Sequence, residues 1–148
     1  MTFCLTTTII KPEIDIQVNN AVILLHGYGG DGKDISILTL GWKRFLPNTV
    51  FLSPDGHEKC LISHQGYQWF DLTKDDPEYI LEQSKKAEKK IKKFIKEVKI
   101  EYNLKNSQIC LLGFSQGCMM AINLGLTSNE NYNCIVGFSG KIINQKDL

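Results

Sequence analysis

No apolar run in this sequence approaches the length that spans a bilayer, so the sequence offers no transmembrane helix. The first ten residues lack a basic region ahead of their short apolar part, which argues against a signal peptide. The five cysteines, Cys4, Cys60, Cys110, Cys118 and Cys134, contain no C-x-x-C pair and cannot all pair with one another. That pattern excludes a disulfide framework and a zinc site, and it fits a reducing compartment. Charge of one sign is also missing: the formal net charge is +1, too near zero to make nucleic acid or an anionic membrane the main partner. Repeats, low-complexity tracts and Pro/Gly/Ser linkers are absent, which leaves a single domain over residues 1–148. The expectation is a cytoplasmic chain with no nucleic-acid partner, no stable membrane anchoring and no metal.

What is present is an alternation of two patterns. Short continuous apolar runs at 21–25, 49–53, 109–113 and 134–138 read as strands buried on both faces. Between them lie helical segments. Asp34 stands as the cap of a helix running to about Leu46, stopped before Pro47. From Pro77 to about Tyr102 the apolar residues Ile80, Ala87, Ile91, Phe94, Ile95 and Val98 fall on one stripe. The opposite face holds eight lysines between Lys85 and Lys99, with no aromatic residues among them, and reads as a solvated surface. Alternating strands and helices predict an α/β fold, a mostly parallel sheet with helices on both faces. In such sheets the loops at the carboxyl ends of the strands converge on the ligand.

One of those loops carries chemistry. Gly113, Phe114, Ser115, Gln116 and Gly117 spell G-x-S-x-G, preceded by an apolar strand and followed by an apolar helix. A serine on so sharp a turn holds a strained backbone, and the flanking glycines relieve crowding where strand and helix nearly touch. The turn lifts the hydroxyl above the sheet beside a helix N-terminus, where backbone N–H groups favour developing negative charge. The loop after the first strand, from His26 and Gly27 through Tyr28 to Gly32, is glycine-rich and can fold in close to it. With Gln116 N–H it makes Tyr28 N–H a candidate oxyanion donor, and His26 reads as an organiser of that loop rather than a base. The same loop fits G-x-x-x-x-G-K, the phosphate-cradling pattern. Asp34 stands where that pattern needs Ser or Thr for Mg²⁺, which weighs against nucleotide binding.

Four motifs in order resemble the phospholipase/carboxylesterase family of α/β-hydrolases, which includes bacterial carboxylesterases and acyl-protein thioesterases. They are Leu24 to Asp34, Phe51 to Gly56, Gly66 to Asp71, and Gly113 to Gly117. The resemblance implies that Ser115 is the nucleophile of a serine esterase, with Tyr28 and Gln116 as oxyanion-hole donors. It implies that the stretch Gln68, Trp69 and Phe70 lies near the acyl pocket; on packing grounds Trp69 and Phe70 fit the core equally well. It also implies a small ester or thioester substrate and no metal or organic cofactor.

In α/β-hydrolases the triad runs Ser, then Asp or Glu, then His along the chain. After Ser115 this sequence offers only Glu130 and Asp147 as acids and no histidine. The expectation is therefore a truncated domain that lacks the C-terminal strands, weak or inactive alone, since a serine without a base is a poor nucleophile. His57 and His64, in the loop after the second strand, are weak substitutes. A complementing C-terminal fragment would restore the triad. Self-association, acyl binding without turnover, or an inactive remnant are the other readings.

Overall fold

A computed structural model describes residues 2–143; Asp147 lies outside them. Five strands form the main sheet: β1 (Thr7–Ile10), β2 (Asn20–Leu25), β3 (Thr49–Pro54), β6 (Ile109–Phe114) and β7 (Cys134–Phe138), in the order β1-β3-β2-β6-β7. Only β1 runs antiparallel, against β3; the other pairs are parallel. The two-residue strands β4 (Glu58–Lys59) and β5 (Tyr67–Gln68) form a small hairpin of their own. The four strands expected from apolar runs are all present. Strand β1 and the hairpin are additions, short and half-exposed; β1 takes its pairing from β3, distant in sequence.

The longest helix is α3 (Pro77–Tyr102), and its ends are those its residues dictate. Asp76 caps it by accepting from the N–H groups of Glu78 at 3.0 Å and Tyr79 at 3.4 Å. Pro77 occupies the first turn, where its missing N–H costs nothing, and Asn103 ends the helix in the left-handed region at φ 53°. The predicted stripe is the buried one, and the lysine face is exposed, with Lys92 and Lys99 paired to Glu88 and Glu130.

The first helical segment corrects the sequence reading. The cap is Asp31, not Asp34: Asp31 Oδ1 accepts from Asp34 N–H at 2.7 Å. The helix is also broken into α1 (Gly32–Ser36), α2 (Thr39–Trp42) and a tight turn at Lys43–Phe45. The Ser36 and Thr39 hydroxyls bond back to the carbonyls of Lys33 and Ser36, which competes with the helical ladder at the break.

Helices cover both faces, as expected. Helices α3 and α4 (Gln116–Thr127) bury the larger core, with Ile23, Leu25, Leu52, Trp69, Phe94, Leu111 and Met120. Helices α1 and α2 lie over the smaller one, formed by Val22, Leu24, Ile35, Phe51 and Leu112. Strand β7 has β6 as its one partner among the described residues, and Ile135 and Phe138 beside its free edge are exposed.

Phe94 is fully buried and stacks edge-on against Phe3 at 5.3 Å between ring centroids. Phe94→Ala is expected to cost about 3–5 kcal/mol through lost burial and the cavity left behind. Denaturant midpoints of the two proteins measure it.

Candidate active site

Strand β6 ends at Phe114 and α4 starts at Gln116, so Ser115 alone makes the turn between them. Its backbone sits at φ 51° and ψ −114°, a conformation that costs a non-glycine residue roughly 1–3 kcal/mol. Several contacts hold it there. Ser115 N–H donates to the Phe138 carbonyl at 2.8 Å, and its own carbonyl accepts from Met119 N–H at 3.1 Å. A Cβ at Gly117 would collide with the Leu25 carbonyl, and one at Gly113 with the Gly117 carbonyl, so the G-x-S-x-G glycines are steric necessities. The Ser115 hydroxyl makes no hydrogen bond among the described residues and is half-exposed.

The early loop folds against this turn. A Cβ on Gly27 would lie 3.4 Å from the Ser115 Cβ and 3.1 Å from the Phe114 ring. Gly29 N–H donates to the Tyr67 carbonyl at 2.9 Å and Gly30 N–H to the Gly27 carbonyl at 3.0 Å. Among the described residues the N–H groups of Tyr28 and Gln116 have no backbone acceptor. The Tyr28 hydroxyl is buried facing Cys60; burial first, then the Cys60 thiol, push its pKa to about 12. Donated hydrogen bonds from the Ser63 and Ile62 backbone hold the Cys60 thiol below its usual range, against the effect of its burial.

Both ring nitrogens of His26 are hydrogen-bonded to the loop backbone. Its Nε2 accepts from Gly56 N–H at 2.8 Å, so the ring proton sits on Nδ1, which donates to the Gly27 carbonyl at 2.7 Å. Both nitrogens are used and the ring is 2% exposed, which rules it out as a base for Ser115. The other two histidines do not take that role here. His57 Nε2 lies 3.4 Å from a Glu58 carboxylate oxygen, and His64 is exposed with no bond to the Ser115 hydroxyl.

Of the two placements the sequence left open for Trp69 and Phe70, the described residues put them in the core. They are 0% and 1% exposed and belong to the larger core. The Gln116 side chain fixes them there: its Oε1 accepts from Trp69 N–H at 2.7 Å, and its Nε2 donates to the Phe70 carbonyl at 2.6 Å. Trp69 Nε1 in turn donates to the His26 carbonyl at 2.9 Å. This clamp role of the Gln116 side chain is not visible in the sequence, because its partners lie far back along the chain. Asp71 is another supporting residue that sequence reasoning left unassigned. It accepts from Thr73 N–H at 2.8 Å and from the hydroxyls of Thr73 and Tyr79. Those bonds, Thr73 N–H foremost, hold its carboxyl below the usual range.

A recess of about 610 Å³ opens beside the turn, on the α1 and α2 side of the sheet. Its walls are mainly apolar, with Leu38, Trp42, Leu112, Phe114 and Phe138 prominent. Neither Trp69 nor Phe70 lines it. The nucleotide reading fails on geometry too. Asp31 caps the start of α1, and the Asp55 carboxylate accepts from Gly32 N–H at 2.9 Å, so two acids occupy the place of a phosphate. Among the described residues no group of three or more His, Cys, Asp or Glu is arranged to hold a metal, and no helix is long and apolar enough to cross a membrane.

A strained serine between a parallel strand and a helix, faced by a glycine-rich loop from the neighbouring strand, defines the α/β-hydrolase class. Residues 7–148 match the model of the phospholipase/carboxylesterase family, and the chain belongs to it. It is 27% identical over 148 residues to acyl-protein thioesterase 1 of Schizosaccharomyces pombe, covering 95% of this chain and 63% of that protein. The Saccharomyces cerevisiae acyl-protein thioesterase 1 is 29% identical over 128 residues, covering 80% and 56%. The crystal structure of esterase PE8 superposes with a TM-score of 0.87 at 33% identity, over 94% of this chain and 65% of that one. The Bacillus cereus carboxylesterase shares the fold, with a TM-score of 0.75 at 19% identity over 96% and 63%. The chain thus spans less than two thirds of the length of these relatives.

Two predictions follow from the buried polar bonds. Burial holds the His26 pKa below its ordinary 6.5, outweighing the Gly27 carbonyl and the nearby acids. The unfolded chain therefore binds this proton first, so the contribution of neutral His26 is complete above 6.5 and is lost as the pH falls below it. Unfolding midpoints are expected to drop between about pH 7.5 and about pH 5.5, with a shallower slope in His26→Gln. Burial also lowers the His57 pKa, so part of the slope persists in that variant. Gln116→Leu strands Trp69 N–H and the Phe70 carbonyl, at about 1–3 kcal/mol each. Chemical denaturation reads that loss.

Proposed function

We propose that this chain cleaves carboxylic esters or thioesters through an acyl-enzyme on Ser115. The backbone N–H groups of Tyr28 and Gln116 take the negative charge that develops on the substrate carbonyl oxygen. The single observation that carries the reading is the strained turn at Ser115, a non-glycine residue at φ 51° whose side chain does not cap the helix it precedes. The step is nucleophilic acyl transfer: Ser115 Oγ bonds to the carbonyl carbon, its proton passes to a base, and the alcohol or thiol leaves. Water then attacks the acyl-enzyme and releases the carboxylic acid. The five free thiols suit a reducing, cytoplasmic setting.

The base is the open element. We place it, with its orienting acid, on a segment that pairs with the free edge of β7 and brings its loops over Ser115, since neighbouring β-α loops converge. Support comes from the edge itself. Ile135 and Phe138 are exposed beside unpaired strand groups, and the apolar recess lies on the same side as Phe138. Without such a segment the edge is a template for association, and sizing is expected to show concentration-dependent self-association.

The test mixes this chain with the C-terminal third of a family member and follows a short activated ester and a serine-directed phosphonate probe. Hydrolysis and labelling are expected to rise on mixing, and Ser115→Ala is expected to abolish both. Alone, the chain is expected to retain weak hydrolysis, no more than roughly 10³–10⁴ over water, lowered further by Ser115→Ala. A second reading, acyl binding or inheritance without turnover, draws on the lack of any histidine bonded to Ser115. It wins if the two pieces bind firmly yet neither hydrolyse nor label.

A further inference from the structure

Two cysteines outside this site face each other across the sheet. Strands β6 and β7 pair in parallel with Cys110 directly opposite Cys134. Opposed residues in a ladder put their side chains on the same face, here the α1 and α2 side, where Cys110 and Val136 pack against the smaller core. Adjacent strands lie roughly 4.7–4.9 Å apart. That falls inside the roughly 4.4–6.8 Å between Cα atoms that a disulfide can bridge. Cys134 is exposed on the edge strand, and Cys110 is half-buried behind it. The remaining cysteines are distributed elsewhere, with Cys60 and Cys118 buried.

We propose that Cys110 and Cys134 form a dithiol modification site that a small-molecule disulfide such as oxidised glutathione converts to a cross-strand disulfide. The order of events follows exposure. The Cys134 thiolate attacks one sulfur of the small disulfide, forming a mixed disulfide and expelling one thiol. The Cys110 thiol then loses its proton to water and attacks the Cys134 sulfur, forming the protein S–S bond and expelling the second thiol. Two cysteines are oxidised by two electrons, and the small disulfide is reduced to two thiols. Before the first step Cys110 is a poor attacker. Burial, then its hydrogen bond and charge interaction with Cys134, push its pKa to about 12. Capping Cys134 removes the contribution of that neighbouring thiol, so the second step becomes easier once the first has happened. The bond would tie the edge strand to β6, and with it the Phe138 carbonyl that holds Ser115 N–H.

The experiment treats the dilute full chain with oxidised glutathione, blocks remaining thiols with a maleimide, and maps a chymotryptic digest, which separates the two cysteines at Phe114 and Tyr132. The expected result is the loss of two of the five thiols per chain, with the Cys110 and Cys134 peptides joined. Cys134→Ser, at an exposed position that leaves the core unchanged, is expected to keep its Cys110 thiol free. Cys110→Ser is expected to stop at the glutathione adduct on Cys134. A wild-type chain that stops at that adduct, or that joins two chains through Cys134, overturns the proposal. The readout is independent of hydrolysis, so it stands or falls apart from the reading of Ser115.

Discussion

A short chain of buried hydrogen bonds holds the candidate site together. Gly56 N–H binds the His26 ring, the His26 carbonyl takes the Trp69 indole N–H, and the Gln116 side chain grips the backbone on both sides of Trp69. Four segments meet in it: the loops after β2 and β3, the stretch after β5, and the first turn of α4. Every partner is buried, so each bond forms where water cannot replace it, and losing one leaves an unpaired group rather than a hydrated one. That makes the arrangement close to all-or-none. The loop bearing Tyr28 cannot drift from the turn bearing Ser115 without breaking several of these bonds at once.

The same network separates the backbone of Gln116 from its side chain. Its backbone N–H has no acceptor among the described residues, while its amide side chain, 0% exposed, is spent on structure. Because the side chain is anchored at both ends, the backbone N–H is oriented before any ligand arrives.

How much of this was legible in the sequence depends on how local each signal is. The strands of the central sheet and α3 were readable because continuous apolar runs and a buried stripe are properties of neighbouring residues. Ser115 was readable because its glycines are demanded by contacts within the turn and with the adjoining strand. The cap of α1 was misplaced because Asp31 and Asp34 are equally good cap residues, and only the extended backbone at Asp31 selects between them. Trp69 and Phe70 were ambiguous for a deeper reason. An aromatic residue near a site can face the ligand or the core, and here the choice is made by a glutamine amide that the chain brings in from far along the sequence. Pairing of β1 was hidden for the same cause, since its partner β3 lies far along the sequence.

The strain at Ser115 connects this network to the edge of the sheet. A non-glycine residue at φ 51° persists only where its surroundings over-determine it. One determinant is the Gly117 contact with the end of β2; another is the bond from Ser115 N–H to the Phe138 carbonyl, at the last residue of β7. The first lies in the core, where Leu25 is fully buried. The second belongs to a strand that is paired on one side only. Whatever occupies the free side of β7 therefore acts on the geometry of Ser115 through a single carbonyl, without touching its side chain. A partner strand that fixes β7 would hold the Phe138 carbonyl and with it the Ser115 backbone, while fraying of that edge would remove one of the contacts that keep the turn strained.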